Sequence, residues 1–296
     1  MHVLRQALYE KGIIGMKGIP GYRQKVHAFI ESARQFSALP EEIKEVYGRS
    51  EDAMFLGYER GKERFKRSDG RWVVDDLKVS YYGLIPDTPL NKWPLEVDLR
   101  NPFLALGELM AEIGEAVMTK IGLLGPKTGI FLEEKERGRM LHYRKSSEST
   151  EGNPFWCGAH FDHGIFTALI PAFYFVEGKA VSEPIEAGLF VKPSREEVFK
   201  KVLVDDPDIL LFQVGEFGQL ATDDAIQATE HCVRKASGDI ERYTMALFFN
   251  ARMDVVIRSF SKLTQDARYG AMPGEPCSYR TWHQASFNRY IVKESQ

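Results

Sequence analysis

The chain has 296 residues, 44% hydrophobic and 27% charged, which suits a soluble globular protein with one large core or two modest ones. A formal net charge of −3 excludes the basic excess that nucleic acid or an anionic membrane surface demands. Cys157, Cys232 and Cys277 make no disulfide framework and fit a reducing compartment. Arg5, Glu10, Lys11 and Lys17 interrupt any cleavable signal in the first twenty residues. The longest uncharged apolar stretch, Gly164 to Val176, contains Pro171 and is too short to cross a bilayer, so a cytoplasmic protein is expected.

In chain order, Tyr22 to Phe36 places Val26, Phe29, Ile30 and Ala33 at helical spacing. Leu39-Pro40-Glu41-Glu42 opens a second helix with proline and acids in its first turn. Phe55 to Pro94 scatters Gly, Pro, Asp and Tyr and reads as irregular surface structure, long enough to be functional or packed on the core. Within it the basic run Arg60 to Arg67 reads as a solvated face. Asn101-Pro102-Phe103 starts a longer helix striped by Leu104, Leu106, Leu109, Met110, Ile113 and Val117, which Gly122 and Gly125-Pro126 end.

After Gly125 the texture changes to short strand-like runs: 139–143, 167–176, 187–192, 209–213, 225–233 and 242–249. Their number and spacing predict a β-sandwich or barrel. The expected organisation is a mostly helical region over 1–125, a β core over 126–260 and an aromatic-rich segment over 261–296 that packs on the core or over a pocket mouth.

The chemistry concentrates in His160-Phe161-Asp162 and, seventy-one residues after His160, in His231 followed by Arg242-Tyr243-Thr244. Residues two apart on a strand share a face, so His160 and Asp162 address one point. Two imidazoles and a carboxylate form the facial ligand set of catalytic Fe(II), with open positions left for oxygen and substrate. Arg242 adds a cation for an oxo-acid carboxylate. A two-residue turn at Gly238-Asp239 would pair His231 with Ala246, Val233 with Thr244 and Lys235 with Arg242. Arg242 then lies roughly 13 Å along the sheet from His231, room for a five-carbon diacid. Lys235 and Arg242 become like charges face to face, the flaw in this register.

Cys157-x-x-His160 is half a zinc pattern, but a small buried thiol is the plainer reading. Alternation turns Cys232 away from His231 and His163 away from Asp162.

Several further segments carry a resemblance. They are Gly12-Ile13-Ile14-Gly15 through Gly18-Ile19-Pro20, Phe36 to Glu42, Asn91-Lys92-Trp93-Pro94, Gly188-Leu189-Phe190-Val191 and Gly215-Glu216. With His160-Phe161-Asp162-His163-Gly164, His231-Cys232-Val233 and Arg242-Tyr243-Thr244, the sequence resembles the Fe(II)/2-oxoglutarate-dependent oxygenases, in the branch of isopenicillin N synthase and the plant biosynthetic dioxygenases. The resemblance implies an α+β protein with a double-stranded β-helix (jelly-roll) core and a helical N-terminal region packed against it. It implies iron on His160, Asp162 and His231, and 2-oxoglutarate held by Arg242 and Thr244, with Tyr143 at the position of a family tyrosine that reaches the co-substrate. Tyr143 fits a core aromatic equally well.

The departures are the lack of a strand before the Gly12 segment, which would leave a sheet edge missing or supplied differently; His142 ahead of Tyr143; and an inserted loop at Lys192 to Asp206. The activity implied is oxidation of a small organic substrate by O₂ (hydroxylation, desaturation or ring closure) with release of succinate and CO₂. An iron oxidase that does without 2-oxoglutarate and a non-catalytic jelly-roll binding module are the alternatives.

Overall fold

The apolar spacing near the N-terminus builds the helix expected of it. The computed structural model describes residues 2–48, 56–61, 64–66, 71–74, 76–145, 154–193, 196–204 and 206–288. It opens with α1 (His2–Glu10), β1 (Ile13–Met16), α2 (Tyr22–Ser37) and α3 (Glu41–Val46). Val26, Phe29, Ile30, Ala33 and Phe36 of α2 are all buried. There follow β2 (Gly57–Arg60), β3 (Arg64–Lys66), β4 (Trp72–Val74), β5 (Lys78–Ile85) and α4 (Arg100–Lys120). The irregular surface structure expected over Phe55 to Pro94 is therefore corrected. β5 is an eight-residue strand buried along its length. Arg60, at the exposed end of β2, ion-pairs with Glu41 at 3.7 Å, and Arg64 to Lys66 form β3, so all of the described run but Gly61 is strand. Lys62, Glu63 and Arg67 lie outside the described residues.

The second half holds β6 (Glu136–Tyr143), β7 (Phe155–His160), β8 (Phe166–Leu169), β9 (Phe173–Val176), β10 (Lys179–Val181), β11 (Gly188–Lys192) and β12 (Lys200–Lys201). Next come β13 (Leu210–Val214), α5 (Glu216–Leu220), β14 (Glu230–Arg234) and β15 (Ile240–Phe249). β16 (Val256–Arg258), β17 (Pro276–Ser278) and α6 (Tyr279–Phe287) complete the described chain. The run 167–176 is two strands because Pro171 breaks it; β15 pairs with β8 through Ala246–Phe249 and with β9 through Ile240–Tyr243. Of the run 225–233, only the part from Glu230 is strand.

The product is a mixed α/β architecture with antiparallel sheets and, among the described residues, six α-helices. A nine-stranded sheet runs β1-β13-β8-β15-β6-β5-β2, with β9 on β15 and β10 on β9. A four-stranded sheet runs β12-β11-β14-β7. Ile13 to Met16 pair with Gln213 to Leu210, so the Gly12 segment itself supplies β1 at the sheet edge beside β13. Residues 1–125 thus contribute β1, β2 and β5 to the large sheet as well as helices. No described helix is long and apolar enough to cross a membrane.

Helices α2 and α4 cover the outer face of the large sheet, where Phe29 meets Phe103 edge-on at 6.0 Å. Gly107 and Gly114 let α4 approach closely: a Cβ at Gly114 would lie 2.1 Å from the Phe249 ring, and one at Gly107 2.0 Å from Ile85. The inner face of the sheet is left for the site.

At the start of β6, Glu136 is buried and its Oε2 makes no hydrogen bond. Burial, and then the nearby Glu133 and Glu115, push its carboxyl up to about 8. The folded protein therefore keeps this proton while the unfolded chain loses it above the ordinary value of 4.5. Stability should fall between these limits, by at most about 1.4 kcal/mol per pH unit from this group. Glu136→Gln is expected to flatten that part of the profile and raise stability at pH 8, as read from urea unfolding across the range.

Candidate metal centre and anion-binding cavity

His160 ends β7 and His231 lies directly across from it on β14, so the small sheet brings two residues seventy-one apart onto one rung. Their rings stand 4.2 Å apart. Asp162 sits in the loop after β7 rather than on the strand, a departure from the expected pairing by alternation. The loop turns it toward the same point: Asp162 Oδ1 is 3.6 Å from His160 Nε2 and 3.8 Å from His231 Nε2. One ligand atom from each residue falls within 4.8 Å of the others, a group able to hold a metal ion.

The surroundings aim these atoms. His160 Nδ1–H donates to the Gly158 carbonyl at 2.8 Å, and His231 Nδ1–H donates to the Thr229 carbonyl at 3.0 Å, which leaves both Nε2 lone pairs facing Asp162. The buried Gln213 amide packs on His231 Nδ1. Thr167 Oγ1 donates to Asp162 Oδ2 at 2.6 Å and leaves Oδ1 for an ion. Burial, then the facing His160, drives His231 down to about 4. Burial pushes the Asp162 carboxyl up, but the His231 and His160 imidazoles and the Thr167 hydroxyl outweigh it and hold it below the usual carboxylate range. At neutral pH the set is a carboxylate with a neutral His231, the protonation that metal binding requires.

Gly215 and α5 fix the Asp162 loop. The Gly215, Glu216 and Phe217 amides donate to the carbonyls of Ile165, Asp162 and Gly164 at 2.9, 2.8 and 3.0 Å. A Cβ on Gly215 would stand 2.3 Å from the Gly164 oxygen and 3.1 Å from that of Asp162, so the Gly215-Glu216 motif is a close approach of two backbones. Gly215→Ala is expected to push the loop outward and weaken divalent metal binding roughly 10- to 100-fold, measured by titration with Co(II). Glu216 is itself anchored by a two-pronged, buried ion pair with Arg268 (2.6 Å on both arms), whose guanidinium stacks over Trp282 at 4.2 Å. Through this pair, and through Trp282 Nε1 donating to the His163 carbonyl at 2.9 Å, the C-terminal segment braces the metal loop. His163 does face away from the triad, 3.2 Å from the His283 ring nitrogen.

The expected hairpin between β14 and β15 does not form. Both edges of β14 are taken by β11 and β7, and both edges of β15 by β6 and by β8 with β9, so residues 235–239 cross from one sheet to the other. Arg242 pairs with Tyr143 on one side and Tyr174 on the other, which removes the clash with Lys235. Arg242 is 6% exposed; its Nε donates to the Tyr174 hydroxyl at 3.2 Å, and its Nη1 is buried without a hydrogen-bond partner. The Tyr174 hydroxyl donates in turn to Glu183 at 3.1 Å, and Glu183 pairs with Lys201 of β12 at 2.9 Å. Tyr143 is buried with its ring 5.0 Å from the guanidinium. Thr244 donates its hydroxyl to the Ile170 carbonyl at 2.8 Å.

His160, Asp162, His231, Arg242, Thr244 and Tyr143 all line one cavity of about 790 Å³ between the sheets. That volume is within the roughly 300–1,000 Å³ of small-molecule sites. Cys157 lines it too, its Sγ 3.9 Å from His160 Nδ1, the far side of that ring from the triad. Cys232 is fully buried in the register opposite Phe190 and faces away. Sequence reasoning missed Thr167, Gln213 and Tyr174, which act by register with strands far along the chain.

No family model matches the sequence, and no curated protein matches it either. Solved structures do match its fold. A full-length Neurospora crassa protein, in complex with alpha-KG and 5-formyluracil, is 22% identical with a TM-score of 0.71, over 96% of this chain and 88% of that one. A 2OG-Fe(II) oxygenase family protein from Caulobacter crescentus is 19% identical with a TM-score of 0.71, over 97% and 93%. JOX2, in complex with 2OG, Fe and JA, is 18% identical with a TM-score of 0.72, over 99% and 86%. The chain thus shares the fold of proteins described as 2-oxoglutarate- and iron-binding oxygenases along nearly its whole length.

Proposed function

We propose that this protein is an Fe(II)- and 2-oxoglutarate-dependent dioxygenase acting on a small organic substrate, and that its two facing sheets are the halves of a double-stranded β-helix. The observation that carries the reading is a donor set and a buried cation in one cavity. His160, Asp162 and His231 suit ferrous iron with positions left open. At the other end, the Arg242 Nη1, buried and without a hydrogen-bond partner, suits an arriving carboxylate. The separations of 3.6 and 3.8 Å lie within the span of two bonds of roughly 2.0–2.2 Å to a common divalent ion. The Neurospora crassa protein and JOX2, which share the fold, were crystallised with alpha-KG and 2OG respectively. The likeness to the isopenicillin N synthase and plant branch rests on the sequence motifs.

When bound, iron and 2-oxoglutarate together supply O₂ activation, with succinate and CO₂ as by-products and an unactivated C–H bond as the target. The chain supplies the rest. Backbone carbonyls at Gly158 and Thr229 hold the imidazoles in the ligating tautomer, and Thr167 holds Asp162 to one oxygen. Arg242, backed by Tyr174 and bordered by Tyr143 and Thr244, grips the distal carboxylate and sets the reach of the oxo-acid toward the metal. The apolar walls exclude water.

The test is anaerobic addition of 2-oxoglutarate to Fe(II)-loaded protein. Chelation is expected to produce a visible charge-transfer band. Iron binding with no such band would overturn the co-substrate and favour an oxidase that draws its electrons from the substrate.

A further inference from the structure

The Gly188-Leu189-Phe190-Val191 motif forms the start of β11, and its glycine has a positive φ of 102°. A Cβ at Gly188 would stand 2.6 Å from Glu183 Oε1 and 3.1 Å from the Tyr174 hydroxyl. The bare backbone therefore makes room for a carboxylate set against a phenol. Glu183 lines the same cavity as Arg242.

Four side chains form one relay there. Lys201 on β12 pairs with Glu183 at 2.9 Å and donates to the carbonyls of Pro184 and Ile185. Glu183 Oε2 accepts from the Tyr174 hydroxyl at 3.1 Å, and that oxygen accepts from Arg242 Nε at 3.2 Å. Burial pushes the Tyr174 hydroxyl up to about 12, so it stays a neutral donor. It ties down one edge of the guanidinium and leaves the buried Nη1 for an arriving acid. Burial opposes the charge on Arg242, but Tyr174, Tyr143 and Glu183 outweigh it and hold its pKa above the ordinary value.

The two groups behind the guanidinium act in opposite senses on a carboxylate. A fixed fork loses less freedom on binding, so Tyr174 favours it. A second carboxylate one hydroxyl away repels it, so Glu183 opposes it. The Glu183 side chain is 32% exposed and Lys201 offsets part of its charge, so the repulsion is screened to a modest effect.

We propose that Tyr174 and Glu183 are positioning residues with opposite effects on the co-substrate, the first fixing the grip of Arg242 and the second loosening it. The inference rests on the 2-oxoglutarate reading of the Arg242 end and adds how its affinity is set. Succinate keeps the distal carboxylate that Arg242 holds, so a loosened grip also lets the product leave.

The experiment titrates 2-oxoglutarate into the anaerobic Fe(II) form of the full chain and reads the charge-transfer band, with succinate then added as a competitor. Tyr174→Phe is expected to raise the half-saturating 2-oxoglutarate concentration about tenfold, with kcat at saturation within about twofold of the parent. Glu183→Gln keeps an acceptor for the Tyr174 hydroxyl and drops the charge. It is expected to lower that concentration about threefold, and the inhibition constant of succinate with it. A purely structural role would weaken binding in both variants. Unchanged or weaker binding in Glu183→Gln, or unchanged binding in Tyr174→Phe, would each overturn the proposal. If a thermal melt shows that Glu183→Gln does not fold, Lys201→Met takes its place and leaves the Glu183 charge uncompensated. Binding as tight as the parent's, or tighter, would then overturn it. Absence of the band in the parent protein would instead remove the reading beneath.

Discussion

Replacing His231 by alanine is expected to abolish iron binding and to lower substrate-dependent succinate release by on the order of 10³ or more, about 4 kcal/mol in the barrier. The size follows from position. In the proposed centre His231 is one of three protein ligands, and its Nε2 lies 3.8 Å from Asp162 Oδ1 with its orientation set by Thr229 and Gln213. The other two ligands, His160 and Asp162, are borne by one short segment and offer two donors alone. His231 is buried, so a thermal melt of the variant beside the parent separates loss of a ligand from loss of the fold. Equilibrium dialysis with Fe(II), beside a thermal melt, checks both halves. Retention of stoichiometric iron would refute the assignment of the ligand set.

Arg242→Met should behave in the opposite sense: iron stays, and 2-oxoglutarate leaves. Removing one partner of a buried charged pair costs about 2–5 kcal/mol, so the half-saturating concentration of 2-oxoglutarate should rise by roughly two orders of magnitude. Without the co-substrate the same change removes a buried cation whose Nη1 makes no hydrogen bond and puts an apolar chain of similar length between Tyr143 and Tyr174. Such replacements are often neutral or stabilising. The ligand-free variant is therefore expected to melt no lower than the parent, and the parent alone should gain stability on adding 2-oxoglutarate. A large loss of stability in the ligand-free variant would mean that Arg242 serves the fold rather than a ligand.

The candidate metal site was legible because its information is local. His160 and Asp162 are two residues apart, and His231 lies second in a short strand, next to the buried Cys232. The neighbours of these strands were not legible. The Gly238-Asp239 pair looks like a tight turn, but a turn reports only that the chain reverses, and here it changes sheets because no strand edge is free beside β14 or β15. β5 escaped for a related reason. Lys78 faces the cavity, Ser80 bonds Arg139 and Gly83 makes room for Trp93 and Phe103, so the apolar alternation of a half-buried strand is missing although every residue is buried. The ends of the cavity show the same limit. Arg242 carries its own signal as a cation in an apolar strand, whereas Tyr174 becomes visible only once the register places it across from Arg242.

The proposed iron ligands hang from the four-stranded sheet and its following loop, while the guanidinium of Arg242 rises from the nine-stranded one. A diacid bound at both ends is thus a gauge stretched between two plates, and its permitted length is the spacing of the plates. Preference among homologous oxo-diacids one methylene longer or shorter then becomes a mechanical property of the whole sandwich, adjustable from the far side of either layer by residues that never meet the acid.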